Sequence, residues 1–219
     1  MRRISFHDKK LLLLKRHSLI IMLKEPHPGR VKTRLGSEIG MVQAAWWFRT
    51  QALALIRRVR DPRWGIFLAV SPDVEGLSSG VWPIDIPRLP QGNGNLGVRL
   101  NRLLTLRQGG QVCIIGSDVP DINRTRVWEA FLALRNADVV IGPSFDGGYW
   151  LIGARGYRAL PKKALSFVRW STKFALTDTL ATLTDRRVVQ ISQLGDIDDL
   201  SDLKKHAFSS EHHYLAHCA

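Results

Sequence analysis

The chain has 219 residues, of which 45% are hydrophobic and 23% are charged, and its formal net charge is +13 at neutral pH. This length and apolar content suit one globular domain with a sizeable core and exclude a largely disordered chain. Only two cysteines occur, which excludes a disulfide framework and zinc-finger spacing, so we expect a reducing, cytoplasmic location.

The positive charge is concentrated at the start of the chain. The first 35 residues carry a net charge of +8, which leaves only +5 for the rest. Two short apolar runs, Leu11–Leu14 and Leu19–Leu23, fall far short of the roughly 20 residues of a membrane span, so no transmembrane segment is expected. We expect three segments: a basic N-terminal arm over 1–17, a single domain over 18–208 and a polar C-terminal tail over 209–219.

Predicted strands and helices alternate along the chain. Apolar runs predict strands over 18–23, 64–70, 111–116, 138–142, 149–153 and 188–191. Apolar periodicity predicts helices over 37–59 with Ser37 as the cap, 95–107, 124–135, 172–183 and a short stretch near the C-terminus. This alternation indicates an α/β fold with a mostly parallel central sheet and helices on both faces.

The loop after the first strand, over 24–36, is rich in proline, glycine and cations. In such a sheet, ligands bind outside the carboxyl ends of the strands. A glycine allows close backbone approach, a helix start favours anions, and Lys32 and Arg34 add charge, so we predict a pyrophosphate site, although no Walker motif is present. A solvated basic loop is the alternative. The candidate residues are Lys24, Pro28, Gly29, Lys32, Thr33 and Arg34.

Acidic residues follow two other predicted strands. Asp118 comes directly after the apolar strand over 111–116, where a carboxylate can hold Mg²⁺ or Mn²⁺ against phosphate oxygens. Asp121 or Asn123 is the better cap for the next helix, which frees Asp118 for a metal. Later in the chain, Asp196 and Asp198 can face one way and complete a hard-cation site. Capping of the last helix is an equally good interpretation of these later acids.

The segment Gly92–Gly97 has the spacing Gly-x-Gly-x-x-Gly of a dinucleotide fingerprint. Such a fingerprint requires a strand immediately before it, and the preceding residues are interrupted by two prolines. We therefore reject nicotinamide dinucleotide binding. A flexible loop on the substrate side is the better interpretation, with Arg99 available for an anionic group.

Four motifs in order resemble the DUF2064 family of GT-A-type glycosyltransferase-like proteins. They are Lys24-x-Pro-x-Pro-Gly-x-Val-Lys-Thr-Arg-Leu35, Gly94-Asn-Leu-Gly-x-Arg99, Ile115-Gly-Ser-Asp-x-Pro120 and Gly142-Pro-x-x-Asp-Gly-Gly-Tyr149. The resemblance covers roughly residues 18–205. It implies the nucleotide-diphospho-sugar transferase fold, a three-layer sandwich shared with 2-phospho-L-lactate guanylyltransferase, molybdenum-cofactor guanylyltransferase and CMP-KDO synthetase.

The resemblance also implies roles for individual residues. Residues 28–34 would hold the nucleotide phosphates, and Asp118 would be the principal ligand of Mg²⁺ or Mn²⁺, with Asp198 completing the metal site. Two positions depart from the pattern of the relatives: Asp198 is followed by Asp-Leu-Ser instead of Thr-Pro-Glu, and Asn95 stands where an acid is usual.

Our leading hypothesis is a metal-dependent glycosyltransferase-like enzyme that uses a nucleotide-diphospho-sugar and a small-molecule acceptor. Lys32 and Arg34 would stabilise the departing diphosphate, and Asp146 would orient or deprotonate the acceptor hydroxyl. The expected acceptor loop is Asp146, Gly147, Gly148 and Tyr149, although Asp146 also fits a simple Asp-Gly turn.

Two other functions are weighed against this hypothesis. A nucleotidylyltransferase, which transfers a guanylyl or cytidylyl group from an NTP to a phosphorylated small molecule, could use the same loop and metal. A nucleic-acid-binding protein is the third, and the modest charge beyond the arm argues against a specific nucleic-acid partner. The sequence does not predict the oligomeric state.

Overall fold

The structure is a computed structural model that describes residues 17–106, 110–156, 159–161 and 163–204. The strands are β1 (His17–Lys24), β2 (Gly65–Ser71), β3 (Arg88–Pro90), β4 (Gln111–Ile115), β5 (Val139–Pro143), β6 (Tyr149–Ala154) and β7 (Val188–Gln190). The helices are α1 (Thr33–Ile39), α2 (Met41–Arg58), α3 (Asp73–Ser78), α4 (Leu96–Leu104), α5 (Arg124–Ala133) and α6 (Ala175–Ala181). Residues 200–204 are also helical.

The predicted arm, apart from His17, and the predicted tail lie outside the described residues. His17, which we expected in the arm, is instead the first residue of β1. Within the described part of the chain, no helix has both the length and the hydrophobicity needed to cross a membrane.

All seven strands form one sheet in the order β3-β2-β1-β4-β6-β5-β7. Strand β6 runs antiparallel to β4 and β5, and the other neighbouring pairs are parallel. The predicted α/β architecture with a mostly parallel central sheet is therefore confirmed. Because β1 pairs in parallel with both β2 and β4, the loops that follow these three strands leave from the same edge of the sheet.

Both faces of the sheet are covered, which explains the continuous apolar run of β1. Leu19, Ile21 and Leu23 are buried in a core with residues of α2 and α5. Ile20 points to the other face, where it is buried in a second core with residues of α4. Alternate side chains of one strand thus enter two cores, and the fold has three layers.

The predicted helix over 37–59 is wrong at its start. The chain forms two helices instead, α1 and α2, which are separated at Gly40. Gly40 has a φ of 96°, a conformation that interrupts the helix and favours glycine. Ser37 is therefore not a cap but lies within α1, where its hydroxyl donates to the Arg34 carbonyl at 2.6 Å.

Two short elements were not predicted. Residues 73–78, expected as a loop, form α3, and the proline-interrupted segment contains β3. β3 pairs with β2 and is the edge strand at one end of the sheet. An edge strand tolerates proline, which lacks a backbone N–H, because no strand on its outer side needs that hydrogen-bond donor. The helices α4, α5 and α6 all end before their predicted limits.

Asn123 caps α5, because its side-chain oxygen accepts a hydrogen bond from the Arg126 backbone N–H at 3.1 Å. We expect Asn123→Ala to lower the free energy of unfolding by about 1 kcal/mol, measured by urea denaturation. Asn123→Asp keeps an acceptor at the cap and should stay close to the wild type. Equal destabilisation by both substitutions would contradict this role.

Candidate active site

A cleft of about 730 Å³ opens where β1 and β4 end. The loops after β1, β3 and β4 contribute to its lining, together with the first residues of β6. Eight of the sequence-predicted site residues line it: Lys24, Lys32, Thr33, Arg34, Arg99, Asp118, Tyr149 and Asp198. Five others lie within the described chain but outside this lining: Pro28, Gly29, Asp146, Gly147 and Gly148.

Lys32 lies at the centre of the charged part of the cleft. Its ammonium donates to Asp118 Oδ2 at 2.9 Å and to Asp198 Oδ1 at 2.6 Å. The Lys32 side chain is only 7% exposed, whereas those of Asp118 and Asp198 are 36% and 42% exposed. The predicted phosphate loop and the two predicted metal ligands therefore meet at one point.

The backbone at Lys32 is left-handed, with φ 45° and ψ 49°, and this residue is the N-cap of α1. A non-glycine residue in this region costs roughly 1–2 kcal/mol, and such strain is concentrated at functional sites. Burial alone would lower the pKa of Lys32, but the charges of Asp118 and Asp198 and the hydrogen bonds to them raise this pKa above 10.5. The ammonium is therefore charged at neutral pH.

Asp198 reaches Asp118 because the segment after β7 crosses the same edge of the sheet. Leu194 forms a parallel bridge with Ser144, just beyond β5. The Ile197 N–H then donates to the Asp118 carbonyl at 3.2 Å, which aligns the two backbones. Asp118 and Asp198 are 80 residues apart in the sequence, and these backbone contacts bring them together. No local sequence pattern predicts such contacts.

Asp196 belongs to the same group of acids. Its pKa is raised to about 6 because the carboxyl is partly buried and because the negative charges of Asp198, Asp146 and Asp118 are close. The region thus holds several carboxylates with the Lys32 ammonium among them. Such a concentration of negative charge favours the binding of a further cation.

The residues present fit a divalent cation that is shared with a substrate. Among the described residues, no group of three or more His, Cys, Asp or Glu side chains is arranged to hold a metal ion. However, Mg²⁺ is commonly bound by one or two carboxylates together with substrate phosphates and water. Asp118 and Asp198 supply two such carboxylates at one point of the cleft. This donor set therefore suits Mg²⁺ or Mn²⁺ when a phosphate completes the coordination.

Gln91 is a site residue that our sequence reasoning missed. Its buried amide group donates to the Leu23 carbonyl at 3.0 Å and the Ala69 carbonyl at 2.9 Å, so it joins the ends of β1 and β2. Its oxygen accepts from Arg99 at 3.3 Å, and Arg99 also donates to the Gly94 carbonyl at 2.9 Å. The only sequence signal was a polar residue immediately after the proline-interrupted segment.

The turn that contains Asp146 packs beside the cleft. Asp146 Oδ1 accepts from the Gly148 N–H at 2.9 Å, as expected of a simple turn residue. Gly147 has a φ of 85°, and a Cβ there would lie 2.3 Å from the Lys173 carbonyl oxygen. The turn therefore requires glycine at this position, and the acceptor role of Asp146 remains a prediction.

Residues 163–174, which we call the strap, were not predicted as part of the site. The strap passes close to α4, since a Cβ on Gly97 would lie 2.4 Å from the Leu165 carbonyl oxygen. Ser171 in the strap lines the cleft. Arg169 fastens the strap to α6 through three hydrogen bonds to the Asp178 carboxylate, at 2.8 to 3.0 Å.

A family model matches the middle of the chain. Residues 54–172 match the family described as uncharacterized protein conserved in bacteria, DUF2064. The chain belongs to this family. The resemblance found in the sequence is thus confirmed. No curated protein matches the DUF2064 chain.

Solved structures confirm the fold. A structure from Desulfovibrio desulfuricans G20, described as a candidate nucleotide-diphospho-sugar transferase, is 26% identical with a TM-score of 0.78, covering 87% of this chain and 85% of that one. A 4-diphosphocytidyl-2C-methyl-D-erythritol synthase from Anaerococcus prevotii DSM 20548 is 13% identical with a TM-score of 0.58, covering 92% and 99%.

A CMP:2-keto-3-deoxy-manno-octonic acid synthetase, solved with CTP, is 11% identical with a TM-score of 0.53, covering 90% of this chain and all of the other. The predicted nucleotide-diphospho-sugar transferase fold is confirmed by these structures. The description of the structure from Desulfovibrio desulfuricans G20 agrees with the transferase class of enzyme that the sequence predicts.

Replacing Gln91 should destabilise the edge of the sheet that carries the site. We expect Gln91→Leu to lower the free energy of unfolding by about 2 kcal/mol, because two buried carbonyls each lose a hydrogen bond. Gln190→Leu makes the same change on an exposed residue of β7 and should have an effect of less than about 0.5 kcal/mol. Chemical denaturation measures both, and equal effects would contradict the role of Gln91.

The strap should loosen in acid because of Asp178. Hydrogen bonds from Arg169 lower the pKa of Asp178 to about 2. Its contribution to stability is therefore complete above its unfolded value near 3.8 and is lost as pH falls through about 2. We expect Asp178→Asn to lower the thermal unfolding midpoint at neutral pH and to differ less from the wild type at pH 2.

Thermal unfolding followed at several pH values measures this difference. Asp185→Asn serves as the control, because Asp185 is an exposed acid beyond α6. A constant difference between Asp178→Asn and the wild type from neutral pH to pH 2 would rule out the proposed ion pair.

Proposed function

We propose that the protein is a divalent-metal-dependent transferase that acts on a nucleotide-diphospho-sugar. The observation that carries this proposal is the meeting of Lys32, Asp118 and Asp198 in one cleft at the carboxyl ends of β1 and β4. The cleft volume of about 730 Å³ falls within the usual range for small-molecule sites. The identity of 26% to a candidate nucleotide-diphospho-sugar transferase supports the same substrate class.

The diphosphate of the donor would lie against the loop after β1. Asp118 and Asp198 would hold Mg²⁺ or Mn²⁺, which when bound neutralises charge on the departing diphosphate. Lys32 would donate to phosphate oxygens from the floor of the cleft. Arg34, whose side chain is 78% exposed, would close over the diphosphate from the solvent side.

The acceptor would enter beside the turn of Asp146. The acceptor hydroxyl attacks the sugar carbon, the bond from that carbon to the diphosphate oxygen breaks, and Asp146 takes the hydroxyl proton. We assign the proton to Asp146 Oδ2, because Oδ1 already accepts from the Gly148 N–H. Tyr149, which lines the cleft and shares a hydrogen bond with Thr179 at 3.4 Å, would form part of the wall.

A nucleotidylyltransferase is the second candidate. The group of Lys32, Asp118 and Asp198 could equally stabilise pyrophosphate leaving the α-phosphorus of an NTP. Two structures of this fold are a diphosphocytidyl synthase and a CMP synthetase solved with CTP, which favours testing NTPs beside nucleotide-sugars. The identity of the released product distinguishes the two reactions: a nucleoside diphosphate from glycosyl transfer, and pyrophosphate from nucleotidyl transfer.

The test is an assay of the full chain with UDP- and GDP-sugars and with NTPs, in Mg²⁺ or Mn²⁺. We expect release of a nucleoside diphosphate that stops with EDTA and returns with excess Mg²⁺. Asp118→Asn should lower kcat/KM by about 100-fold or more, because a principal metal ligand is lost.

Asp121→Asn is the matched control, since Asp121 lies three residues further along the same turn and outside the cleft lining. This variant should retain nearly wild-type turnover. The proposal fails if Asp118→Asn keeps both full turnover and the metal-dependent thermal stabilisation by nucleotide. Pyrophosphate release in place of a nucleoside diphosphate would favour the second candidate.

A further inference from the structure

We infer that the Lys32 ammonium occupies the place of the divalent cation in the nucleotide-free protein, so that the cation enters only after phosphate has drawn Lys32 away. The inference rests on the proposed function, since it concerns the metal of that site. It makes Lys32 a positioning residue with two partners in turn: the carboxylates of Asp118 and Asp198 before the nucleotide binds, and the phosphates afterwards.

The distances make the ammonium and the cation alternatives. Lys32 Nζ lies 2.9 Å from Asp118 Oδ2 and 2.6 Å from Asp198 Oδ1, so the ammonium contacts the two oxygens that a shared cation would use. Mg²⁺ binds oxygens at about 2.0–2.1 Å, so an ion on the same pair would lie no farther than about 4.7 Å from Nζ. Two positive charges at that separation repel strongly, and only one can occupy the gap.

The Lys32 side chain is buried between the Asp118 and Asp198 carboxylates, whereas the side chain of the nearby Arg34 is exposed. The Lys32 side chain is 7% exposed and extends from a left-handed backbone, whereas Arg34 is 78% exposed and lies 3.9 Å from Asp198 Oδ2. A more distant surface cation would by itself reduce the electrostatic repulsion between Asp118 and Asp198. The buried ammonium does more, because it donates a hydrogen bond to each of the two carboxylates.

The phosphates of a nucleotide would replace the carboxylates as the hydrogen-bond partners of Lys32. Lysine carries a compact charge on a flexible four-carbon stem, so Nζ can turn to a phosphate oxygen without moving the backbone. The acids then lose their counter-charge at the moment when phosphate oxygens arrive to complete the cation's coordination. The expected order is therefore nucleotide first and divalent cation with it or after it.

A different geometry predicts the opposite effect of removing Lys32. If the cation bound the other oxygens, Asp118 Oδ1 and Asp198 Oδ2, then Lys32 would remain between the acids and support the site. Loss of the ammonium would in that case weaken cation binding. Under our inference, loss of the ammonium opens the place and strengthens cation binding without nucleotide.

The test measures binding of Mn²⁺ alone to the full chain, by electron paramagnetic resonance of free Mn²⁺, without nucleotide. We expect Lys32→Met to bind Mn²⁺ at least about tenfold more tightly than the wild type, because a like charge has left the gap. Arg34→Met removes an exposed charge beside the same acid and should change the affinity by less than about threefold. Adding Asp118→Asn to Lys32→Met should abolish the gain.

Unchanged or weaker Mn²⁺ binding by folded Lys32→Met would overturn the inference. Lys32→Gln is a second variant that retains a polar side chain, and thermal unfolding verifies that each variant is folded. The wild type supplies an independent test that needs no Lys32 variant. The inference is also overturned if the wild type binds Mn²⁺ tightly without nucleotide and Asp118→Asn removes this binding. Lys32 would then not keep the cation from the two carboxylates.

The assay of the proposed function separates the two failures. If Lys32→Met gains no affinity while metal-dependent release of nucleoside diphosphate persists, only the exchange at Lys32 is wrong. If no nucleotide is turned over but Lys32→Met gains an Mn²⁺ site that needs Asp118, the transferase proposal fails and the displacement of the cation by Lys32 stands.

Discussion

One ammonium held between two carboxylates organises the cleft of this protein. Lys32 comes from the loop after β1, Asp118 from the turn after β4, and Asp198 from the segment after β7. A buried lysine would be costly without partners, and two carboxylates in contact would repel without a cation between them. The charges of the three groups therefore compensate one another at the point where backbone contacts bring these segments of the chain together.

The sheet makes this meeting possible. β1 is buried on both faces and pairs in parallel with β2 and β4, so the loops that follow these strands leave from one edge. Gln91 ties the ends of β1 and β2 through two carbonyls and also contacts Arg99. The charged loops of the cleft therefore leave from strands whose ends are joined by the Gln91 amide.

The two sides of the cleft differ in how they are built. On the side of Lys32, the backbone of this residue is left-handed and its buried ammonium lies between the carboxylates of Asp118 and Asp198. On the other side, the strap packs closely against the turn of Asp146 at Gly147 and against α4 at Gly97. Under the proposed function, the first side would hold the diphosphate of the donor, where fixed charge stabilises the leaving group. The second side would then contact the acceptor.

The sequence by itself predicted the α/β class and most of the strands, because apolar runs are local patterns, and the family resemblance placed Lys32, Asp118 and Asp198 in one expected site. Only the tertiary structure decided that these three side chains touch, that Gln91 supports Arg99, that Gly40 divides one helix into two, and that the short elements α3 and β3 exist. The physical reason is that contacts between loops at the carboxyl ends of the strands depend on strand order and on backbone hydrogen bonds such as that from Ile197 to Asp118. The spacing of residues along the chain predicts neither.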